Sequence, residues 1–502
     1  MIPNLPTAAI VVIYFLAMIA IGTWASRKIQ NTEDYIIAGR SLGFWVFTIL
    51  VVASICSGMT LLGVAGLGYA AGWPTIWEQL FVPLSASFAL IVFGVKLNEV
   101  GTREDYLTIQ DYFAQRFESP GTLRGLSAMA GIAVSLIYLV GQYTAISIIL
   151  VWLFGIPHWQ ALVIAGVVIA LYTTIGGLYA VSWTTLFQGG ILILGVLIMA
   201  PLVIMEAGGL SHINEVLAGI NPTMVQPWLP SGAPAFTPEF LVSFGLLLII
   251  GLACAPHVIN NVLATREKRF FRWSPLIAFC IYAVVMFLVK FAGFAGRVMV
   301  EEGKFALPEM SNAQDFIFVS AIEFASPNVF VWGILAVIVL AAVMSTTDRL
   351  MLTIGSMFGW DIYHNLLKPG ASDREVLMVS RIAVIVAAGG TLLLAINPPE
   401  MLAWLIWMGI GVMLATFAVP LLAGLYWRGA TRSGAIASMA GGLVAAGVFG
   451  YWYQFVDRLP LHFSFYALVV SAILMIAVSL ATAPNSTEVL DRTLTGWFIQ
   501  EK

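Results

Sequence analysis

The stretch Val51–Trp73 reads VVASICSGMTLLGVAGLGYAAGW, an apolar run interrupted by a Ser-Gly pair at 57–58. A second run, Leu241–Asn261, reads LVSFGLLLIIGLACAPHVINN and contains Gly251 and Pro256. Glycine and proline release backbone groups that need other partners inside a membrane. Five predicted spans separate the start of one run from the start of the other. Interrupted helices at matching positions of two five-helix units are typical of inverted-repeat transporters with a midplane site. The alternative is a pair of simple kinks.

The composition indicates an integral membrane protein. The chain has 502 residues, 60% hydrophobic and 10% charged, with a mean hydropathy of +0.95. A soluble protein carries roughly 25% charged residues, so these charges cannot cover a soluble surface of this size. The net charge of -3 identifies no partner class, and no basic tract suggests nucleic acid. The three cysteines lie in apolar segments and predict no disulfide framework.

Long apolar segments predict an all-α bundle that crosses the membrane about thirteen times. A spanning helix needs about 20 mostly apolar residues, and β-barrel strands would be short and alternating. The N-terminal segment lacks a basic region and a cleavage site, which favours a retained span over a signal peptide. The predicted spans are 6–26, 44–71, 75–97, 123–153, 158–178, 183–204, 238–264, 274–299, 328–362, 377–396, 401–427, 433–453 and 463–482.

The distribution of lysine and arginine predicts the orientation, because positive charge accumulates in cytoplasmic loops. With the N-terminus outside, 18 of the 23 Lys and Arg residues fall in inside loops or the C-terminal tail. Only Arg297, Lys304 and Arg458 fall outside, while Lys290 and Arg349 fall at membrane depth. An even number of spans would destroy this asymmetry. We therefore expect a multi-pass protein of the inner (cytoplasmic) membrane, with its C-terminus inside.

Several motifs resemble those of the sodium/solute symporter family. They are YTTIGGLYA at Tyr172–Ala180, followed by VSWTTLFQ, and GLYWRGATRSGAIASMAGGL at Gly424–Leu443. The resemblance extends to DYIIAGRSLG at Asp34–Gly43 and PPEM at Pro398–Met401. Gly429 stands where the family usually has a basic residue. Overall the chain looks most similar to the pantothenate and monocarboxylate branch, with the proline symporter branch next.

This resemblance implies a LeuT-type fold in a single transmembrane domain, 1–502. Residues 44–427 would form a core of ten helices in two inverted repeats of five. The helix at 6–26 would precede the core, two helices at 433–482 would follow it, and 483–502 would form a cytoplasmic tail. The implied function is sodium-coupled import of a small organic solute by alternating access.

The resemblance also places a sodium site between the first and eighth core helices. The matching motifs are ASICSGM at Ala53–Met59 and AAVMSTTDRL at Ala341–Leu350. Sodium is a hard cation that takes carbonyl and hydroxyl oxygens in place of water. For the hydroxyls, the alternative is a bond back to their own helix. The implied ligands are the carbonyls of Ala53, Cys56 and Ala342 and the hydroxyls of Ser345 and Thr346.

Two departures from the family argue against a second sodium site. Many relatives have an acid where this chain has Thr185, and some have one at the position of Ile55. Asp348 and Arg349 follow Ser345 by three and four residues and share roughly its helix face. One hypothesis is that Arg349 is a tethered cation in place of a second sodium. The alternative is that both charges line an inner water-filled vestibule and act in the gate.

The predicted solute pocket lies beside the broken helices, with an aliphatic wall and a few amide and hydroxyl groups. Such a wall suits a small, partly apolar solute. Lys290 could balance a substrate carboxylate, or it could snorkel or pair with Glu78. The candidate residues are Ser57, Thr60, Gln79, Tyr138, Gln142, Leu248, Leu252 and Lys290.

The predicted function is therefore symport of sodium with a carboxylate such as pantothenate or a monocarboxylate. The alternatives are a proline-like amino-acid transporter, coupled to sodium or protons, and a transporter-like membrane sensor. Five scattered histidines form no HExxH motif or catalytic cluster, so no enzyme activity and no metal other than Na+ is expected. The sequence suggests no obligate protein partner; lipid, sodium and a small solute are the expected partners.

Overall fold

The computed structural model describes residues 5–309, 312–396, 402–457 and 459–494. The PPEM run, Arg458 and the end of the C-terminal tail lie outside the described residues. Within the described ranges the chain is helical, and its one β-type pairing is an isolated bridge between Ser41 and Thr265.

The long helices follow the predicted apolar segments. In chain order they are α1 (Leu5–Ser26), α2 (Phe44–Ile55), α3 (Met59–Ala71), α4 (Trp73–Arg103), α5 (Thr122–Phe154), α6 (His158–Glu206), α7 (Pro238–Gly251), α8 (Pro256–Ala264), α9 (Phe270–Glu301), α10 (Ile317–Ala325), α11 (Val329–Leu367), α12 (Asp373–Ala395), α13 (Leu402–Tyr426), α14 (Arg432–Phe455) and α15 (Phe463–Ala481). Short helices at Thr32–Ile37, Ile109–Arg116, Gly209–Ile220 and Thr487–Thr493 connect or follow them.

Ten of the described helices are long and apolar enough to cross a membrane singly, and two further pairs qualify as bent spans. The pairs are α2 with α3, bent by 62°, and α7 with α8, bent by 45°. They correspond to the two interrupted segments of the sequence. Helix α6 has 49 residues, which is about 74 Å of helix against a hydrocarbon core of about 30 Å. It is therefore too long for one crossing.

Helix α6 reverses direction at Gly177, where φ is 50° and ψ is -155°. A Cβ there would lie 2.8 Å from the carbonyl oxygen of Tyr35, so glycine permits both this conformation and this contact. The two ends of α6 reach the same face of the bundle. His158 Nε2 lies 3.0 Å from the oxygen of Ala395, and Lys304 Nζ bonds the oxygen of Glu206 at 3.1 Å. The arms match the predicted spans 158–178 and 183–204 and bring the count to thirteen.

The N-terminus of α1 lies on that same face, because Thr7 Oγ1 donates to the oxygen of Val329 at 2.9 Å. We call this the N-terminal face and the opposite one the basic face. On the basic face, Arg116 donates to the carbonyl oxygens of Gly424 and Trp427, both at 2.9 Å. The second signature region, Gly424–Leu443, thus supplies carbonyls at the end of α13 that a buried arginine holds in place.

Candidate functional site

The break between α2 and α3 removes the backbone from the helical pattern at two residues, Cys56 and Ser57. Cys56 is extended, with φ of -74° and ψ of 100°, and α3 resumes at Met59. The freed N–H groups find side-chain acceptors. Gly58 N donates to Gln142 Oε1 at 3.1 Å, and Ser57 N donates to Thr60 Oγ1 at 3.1 Å. The freed carbonyls are left facing α11.

The five expected sodium ligands lie together at this break. Thr346 Oγ1 is 2.9 Å from the carbonyl oxygens of both Ala53 and Cys56. Ser345 Oγ is 3.3 Å from the oxygen of Ala53 and 2.9 Å from that of Ala342. All five residues are buried. All five candidate ligand atoms are neutral oxygens, which suits a hard monovalent cation. The two hydroxyl groups can rotate their protons away and present lone pairs to the ion.

A small cavity of about 20 Å³ lies beside the break. Of the predicted solute residues, Ser57, Thr60, Tyr138, Leu248 and Leu252 line it. The cavity has an aliphatic wall and a few hydroxyl groups. Its volume leaves room for about one water molecule, far below the roughly 300–1,000 Å³ of a typical ligand pocket, so the site is nearly closed in this conformation. The remaining lining residues are Ile55, Met59, Val64, Glu78, Val82, Tyr282, Met286, Ile406 and Ile410.

The other three predicted solute residues do not line this cavity. Gln142 holds the broken helix through Gly58. The Gln79 amide, oriented to suit its neighbours, donates to the oxygens of Ile76 at 2.9 Å and Thr75 at 3.0 Å. It therefore closes a local turn at the start of α4. Gln142 Nε2, by contrast, is buried without a hydrogen-bond partner among the described residues, and neither glutamine lines the cavity.

Lys290 pairs with Glu78, the second of the two alternatives that the sequence left open. Lys290 Nζ lies 3.3 Å from Glu78 Oε2, and both side chains are 0% exposed. Glu78 lines the cavity whereas Lys290 does not. An isolated charge at this depth would be very costly, and the pairing removes most of that cost. Lys290 is therefore joined to the cavity wall through Glu78.

The neighbours Asp348 and Arg349 point to different parts of the bundle. Asp348 Oδ1 accepts from Tyr172 OH at 2.5 Å and from Thr173 Oγ1 at 3.1 Å. Arg349 Nε donates to the oxygen of His257, in the second broken helix, at 3.3 Å. The two side chains are 0% and 2% exposed, so neither faces a water-filled vestibule in this conformation.

Thr185 lies in the second arm of α6, and its side chain is fully buried. Its Oγ1 makes no hydrogen bond among the residues that the structure describes. No carboxylate occupies this position, and nothing in the described contacts joins Thr185 to Arg349. The sequence placed these two positions in one region by their resemblance to relatives, and that expectation remains a prediction.

Tyr282 is a residue of the site that the sequence reasoning missed. Its hydroxyl lies 2.9 Å from Thr60 Oγ1 and donates to the oxygen of Ile55 at 3.1 Å, so it clasps both sides of the first break. A signal was present in the sequence. Tyr282 and Met286 precede Lys290 by two turns and one turn, and all three share a helix face.

The whole architecture has solved counterparts. It superposes on a substrate-bound, outward-open Na+-coupled sialic acid symporter with a TM-score of 0.79 and 19% identity, covering 96% of this chain and 99% of that one. It also resembles Mhp1, a nucleobase-cation-symport-1 family transporter, with a TM-score of 0.51 and 15% identity, covering 91% and 97%. At these identities the likeness concerns the fold, and it confirms the expected LeuT-type arrangement.

Sequence comparisons identify the family. The chain is 27% identical over 432 residues to the osmoregulated proline transporter OpuE of Bacillus subtilis, covering 85% of each. It is 28% identical over 446 residues to the sodium/pantothenate symporter of Escherichia coli, covering 87% of this chain and 89% of that one. The profile of the sodium:solute symporter family matches residues 35–442. Since that match spans most of the chain, which has the expected fold and the expected break, the chain belongs to the sodium:solute symporter family.

Proposed function

We propose that this chain imports one small organic solute together with one sodium ion by alternating access. The family supplies the transporter class and sodium as the coupling ion. The observation that carries the finer assignment is the convergence of Ser345 and Thr346 on the carbonyls of the first break. A cation bound there would hold α11 against α2, so ion binding and the geometry of the adjacent cavity are linked.

The proposed sodium ligands are the carbonyl oxygens of Ala53, Cys56 and Ala342 and the hydroxyls of Ser345 and Thr346. A bound sodium ion would supply a positive charge shared by three carbonyls from two helices and by two hydroxyls. The residues themselves set the location, because the broken helix presents carbonyls and α11 presents hydroxyls. The solute lies next to the ion, since Ser57 and Thr60 belong to the same break and line the cavity.

For the solute we propose a small carboxylate such as pantothenate or a monocarboxylate, with a proline-like amino acid as the second candidate. The cavity supports a small molecule with an apolar part, because Leu248, Leu252, Ile406 and Ile410 form one wall. The hydroxyls of Ser57, Thr60 and Tyr138 offer hydrogen bonds to a carboxylate. The relatives do not separate the candidates, since the proline and pantothenate transporters are equally similar to this chain.

The proposed stoichiometry of one sodium follows from what stands at the other cation position. Thr185 offers a neutral hydroxyl where many relatives have an acid, and Arg349 already places a permanent positive charge in the neighbouring second break. We expect a Hill coefficient of about one for sodium in uptake measurements. A value clearly above one would rule out the role of Arg349 as a tethered cation.

Uptake into proteoliposomes, with sodium and proton gradients imposed separately, tests the coupling. We expect an inward sodium gradient to drive accumulation of labelled solute and a proton gradient alone to drive none. Labelled pantothenate, lactate, pyruvate and proline should be compared in the same vesicles. Uptake driven by protons without sodium would overturn the proposal, and sodium-driven uptake of proline but of no carboxylate would select the second candidate.

The proposed orientation places the N-terminal face outside and the basic face in the cytoplasm. It rests on the distribution of Lys and Arg, as does the location in the inner membrane. We also propose a single transmembrane domain with its ten-helix core at 44–427 and two helices at 433–482 outside the core. Labelling of a cysteine introduced at exposed Ser231 in intact cells would test the orientation, since that residue lies on the N-terminal face.

A further inference from the structure

A short turn on the N-terminal face buries a carboxyl group. The turn, Ala313–Phe316, lies between α9 and α10. Asp315 in this turn is 0% exposed. Its Oδ2 accepts a hydrogen bond from the backbone N–H of Leu402 at 3.1 Å, and its Oδ1 has no partner among the described residues. Leu402 is the first described residue of α13, so Asp315 occupies one of the N–H groups that a helix start leaves unpaired.

The same turn rests on the outer arm of the broken helix. A Cβ at Gly66 in α3 would lie 3.0 Å from the carbonyl oxygen of Gln314 and 3.2 Å from Asp315 Oδ1. Any side chain at Gly66 would therefore press the turn outward. Asp315 is thus held between two helices, with α3 on one side and α13 on the other.

Those two helices form opposite walls of the cavity. Thr60 and Val64 of α3 line it, as do Ile406 and Ile410 of α13. Between the turn and the cavity the helices approach each other, since a Cβ at Gly63 would lie 3.6 Å from the Cβ of Ala403. The turn therefore joins α3 to α13 on the side of the cavity that faces the N-terminal face.

We propose that Asp315 is the latch of the outer gate: its carboxyl fastens the turn at Ala313–Phe316 to the start of α13, and its release opens the cavity to the external face. This rests on the proposed transport function and orientation. Asp315 is a positioning residue, because it touches neither the sodium ligands nor the cavity. It acts by setting how far α13 can move away from α3.

The surroundings of Asp315 make the latch sensitive to protons. The described elements that pack on the turn bring no cation to it. Tyr69 of α3 lies under the guanidinium of Arg297, 5.0 Å from the ring centroid, and Glu323 of α10 accepts from Trp152 Nε1 at 2.8 Å. Helix α13 carries no charged side chain between its start and Tyr426. Burial raises the pKa of Asp315 from its ordinary value to about 7.

The direction of the pH effect follows from linkage. When the turn is released, the Asp315 carboxyl would be solvated and its pKa would be about 4. In the closed gate, Asp315 holds its proton up to about pH 7. The closed gate therefore binds more protons than the open gate between these values. Closure is favoured increasingly as the pH falls from about 7 toward about 4, and it no longer changes with pH above that window.

The test measures access to the cavity from outside. Val64→Cys is introduced into a chain whose exposed cysteine is removed by Cys280→Ser, and a membrane-impermeant maleimide is added to intact cells. Labelling is normalised to Ser231→Cys, an exposed position on the same face, which corrects for the pH dependence of the thiol reaction. The Cys280→Ser parent without Val64→Cys corrects for the buried Cys56 and Cys254.

We expect Asp315→Ala to raise the labelling rate at least tenfold at pH 6. With Asp315 intact, the rate should rise severalfold from pH 5 to pH 7 and then level. Asp315→Asn retains an acceptor for Leu402 but cannot titrate, so its rate should stay low and flat across this range. Glu323→Gln, a carboxyl change in the adjacent helix, should behave as the intact chain.

The proposal would be overturned if Asp315→Ala were labelled at the same rate as the chain with Asp315 intact. It would also be overturned if Asp315→Asn showed the same pH dependence as that chain. If Asp315→Ala fails to reach the membrane, the profile of Asp315→Asn decides alone. The measurement uses no added solute and no imposed ion gradient. Failure of sodium-driven uptake would therefore overturn the proposed function and leave the labelling result interpretable. A labelling result that contradicts the role of Asp315 would leave the uptake result interpretable.

Discussion

The two broken helices leave similar backbone gaps, and the protein fills them with different groups. At the first break, between α2 and α3, the carbonyls of Ala53 and Cys56 meet neutral hydroxyls from α11. At the second, between α7 and α8, Cys254 N and Ala255 N bond carbonyls of their own helix at 2.9 and 3.2 Å. The carbonyl oxygen of His257, in the first turn of α8, accepts from Arg349 Nε and from Asn261 Nδ2, both at 3.3 Å.

This difference favours the first break as the place for the proposed cation. A hydroxyl can rotate its proton away and present a lone pair, so carbonyl and hydroxyl together can share a sodium ion. A guanidinium has only hydrogen-bond donors and a permanent positive charge. The carbonyl of His257 therefore already accepts a hydrogen bond from a positively charged group. Under the proposed function, the first break would hold a mobile cation, while the second already carries the fixed charge of Arg349.

The largest expected effect comes from adding a methyl group at a glycine in each broken helix, Gly58 in the first and Gly251 in the second. A Cβ at Gly58 would lie 2.4 Å from the Cβ of Ala145, which cannot rotate away. A Cβ at Gly251 would lie 2.9 Å from Cγ2 of Ile410, a softer contact. Overpacking of this kind costs roughly 1–3 kcal/mol. We expect Gly58→Ala to abolish sodium-driven uptake and Gly251→Ala to reduce it only in part.

Uptake and the melting temperature of the purified protein are the measurements for this pair. Gly190→Ala is the control, because a Cβ there meets nothing within 4 Å, and it should leave both unchanged. Equal losses in Gly58→Ala and Gly251→Ala would show that the two breaks are equally constrained, against the asymmetry described above.

The next effect isolates one sodium ligand. Thr346→Val keeps the shape of the side chain and removes the hydroxyl that bridges Ala53 and Cys56. Interactions with a charged partner are worth about 1.5–3 kcal/mol, so the sodium concentration for half-maximal uptake should rise at least tenfold. Thr347→Val is the matched control, since Thr347 Oγ1 donates back to the oxygen of Val343 in its own helix at 2.7 Å. Similar shifts in both variants would contradict the assignment of Thr346.

Removal of the Tyr282 hydroxyl, which contacts both sides of the first break, should have a smaller effect. Tyr282→Phe loses the hydroxyl contacts to Thr60 and to the oxygen of Ile55. A hydrogen bond contributes about 1 kcal/mol net, which corresponds to a rise of about fivefold in the KM for the solute. Tyr143→Phe is the control, because the Tyr143 hydroxyl is buried without a hydrogen bond among the described residues. If both variants raise KM equally, Tyr282 has no special role at the break.

Much of this arrangement could be predicted because it depends on backbone. Interruptions in apolar runs, the bias of positive charge and the family motifs located the spans, both breaks and the oxygens at 53, 56, 342, 345 and 346. Carbonyl positions follow from chain path, and chain path follows from hydropathy and glycine or proline placement. The reversal of α6 at Gly177 also agrees with the two spans expected there.

Side-chain partners were harder to predict because long polar side chains have several partners within reach. Gln142 and Gln79 were expected to bind solute, and in this structure Gln142 Oε1 and the Gln79 amide contact nearby backbone groups. Lys290 was left with several alternatives, and in this structure it pairs with Glu78. Asp315 gave no signal at all, since its partner Leu402 is remote in sequence and presents only a backbone N–H.

The smallest expected effect comes from replacing the cysteine side chain at each break, which tests whether the backbone carbonyl or the side chain matters for sodium. Cys56 offers sodium its carbonyl, so Cys56→Ala should leave the half-maximal sodium concentration within about twofold. Cys254, the corresponding cysteine of the second break, donates its thiol to the oxygen of Gly251 at 3.4 Å. Cys254→Ala should lower the melting temperature slightly, without changing the response to sodium. Because a thiol is a poor ligand for a hard cation, a large loss of sodium affinity in Cys56→Ala would mean that the thiol positions the carbonyl through its packing.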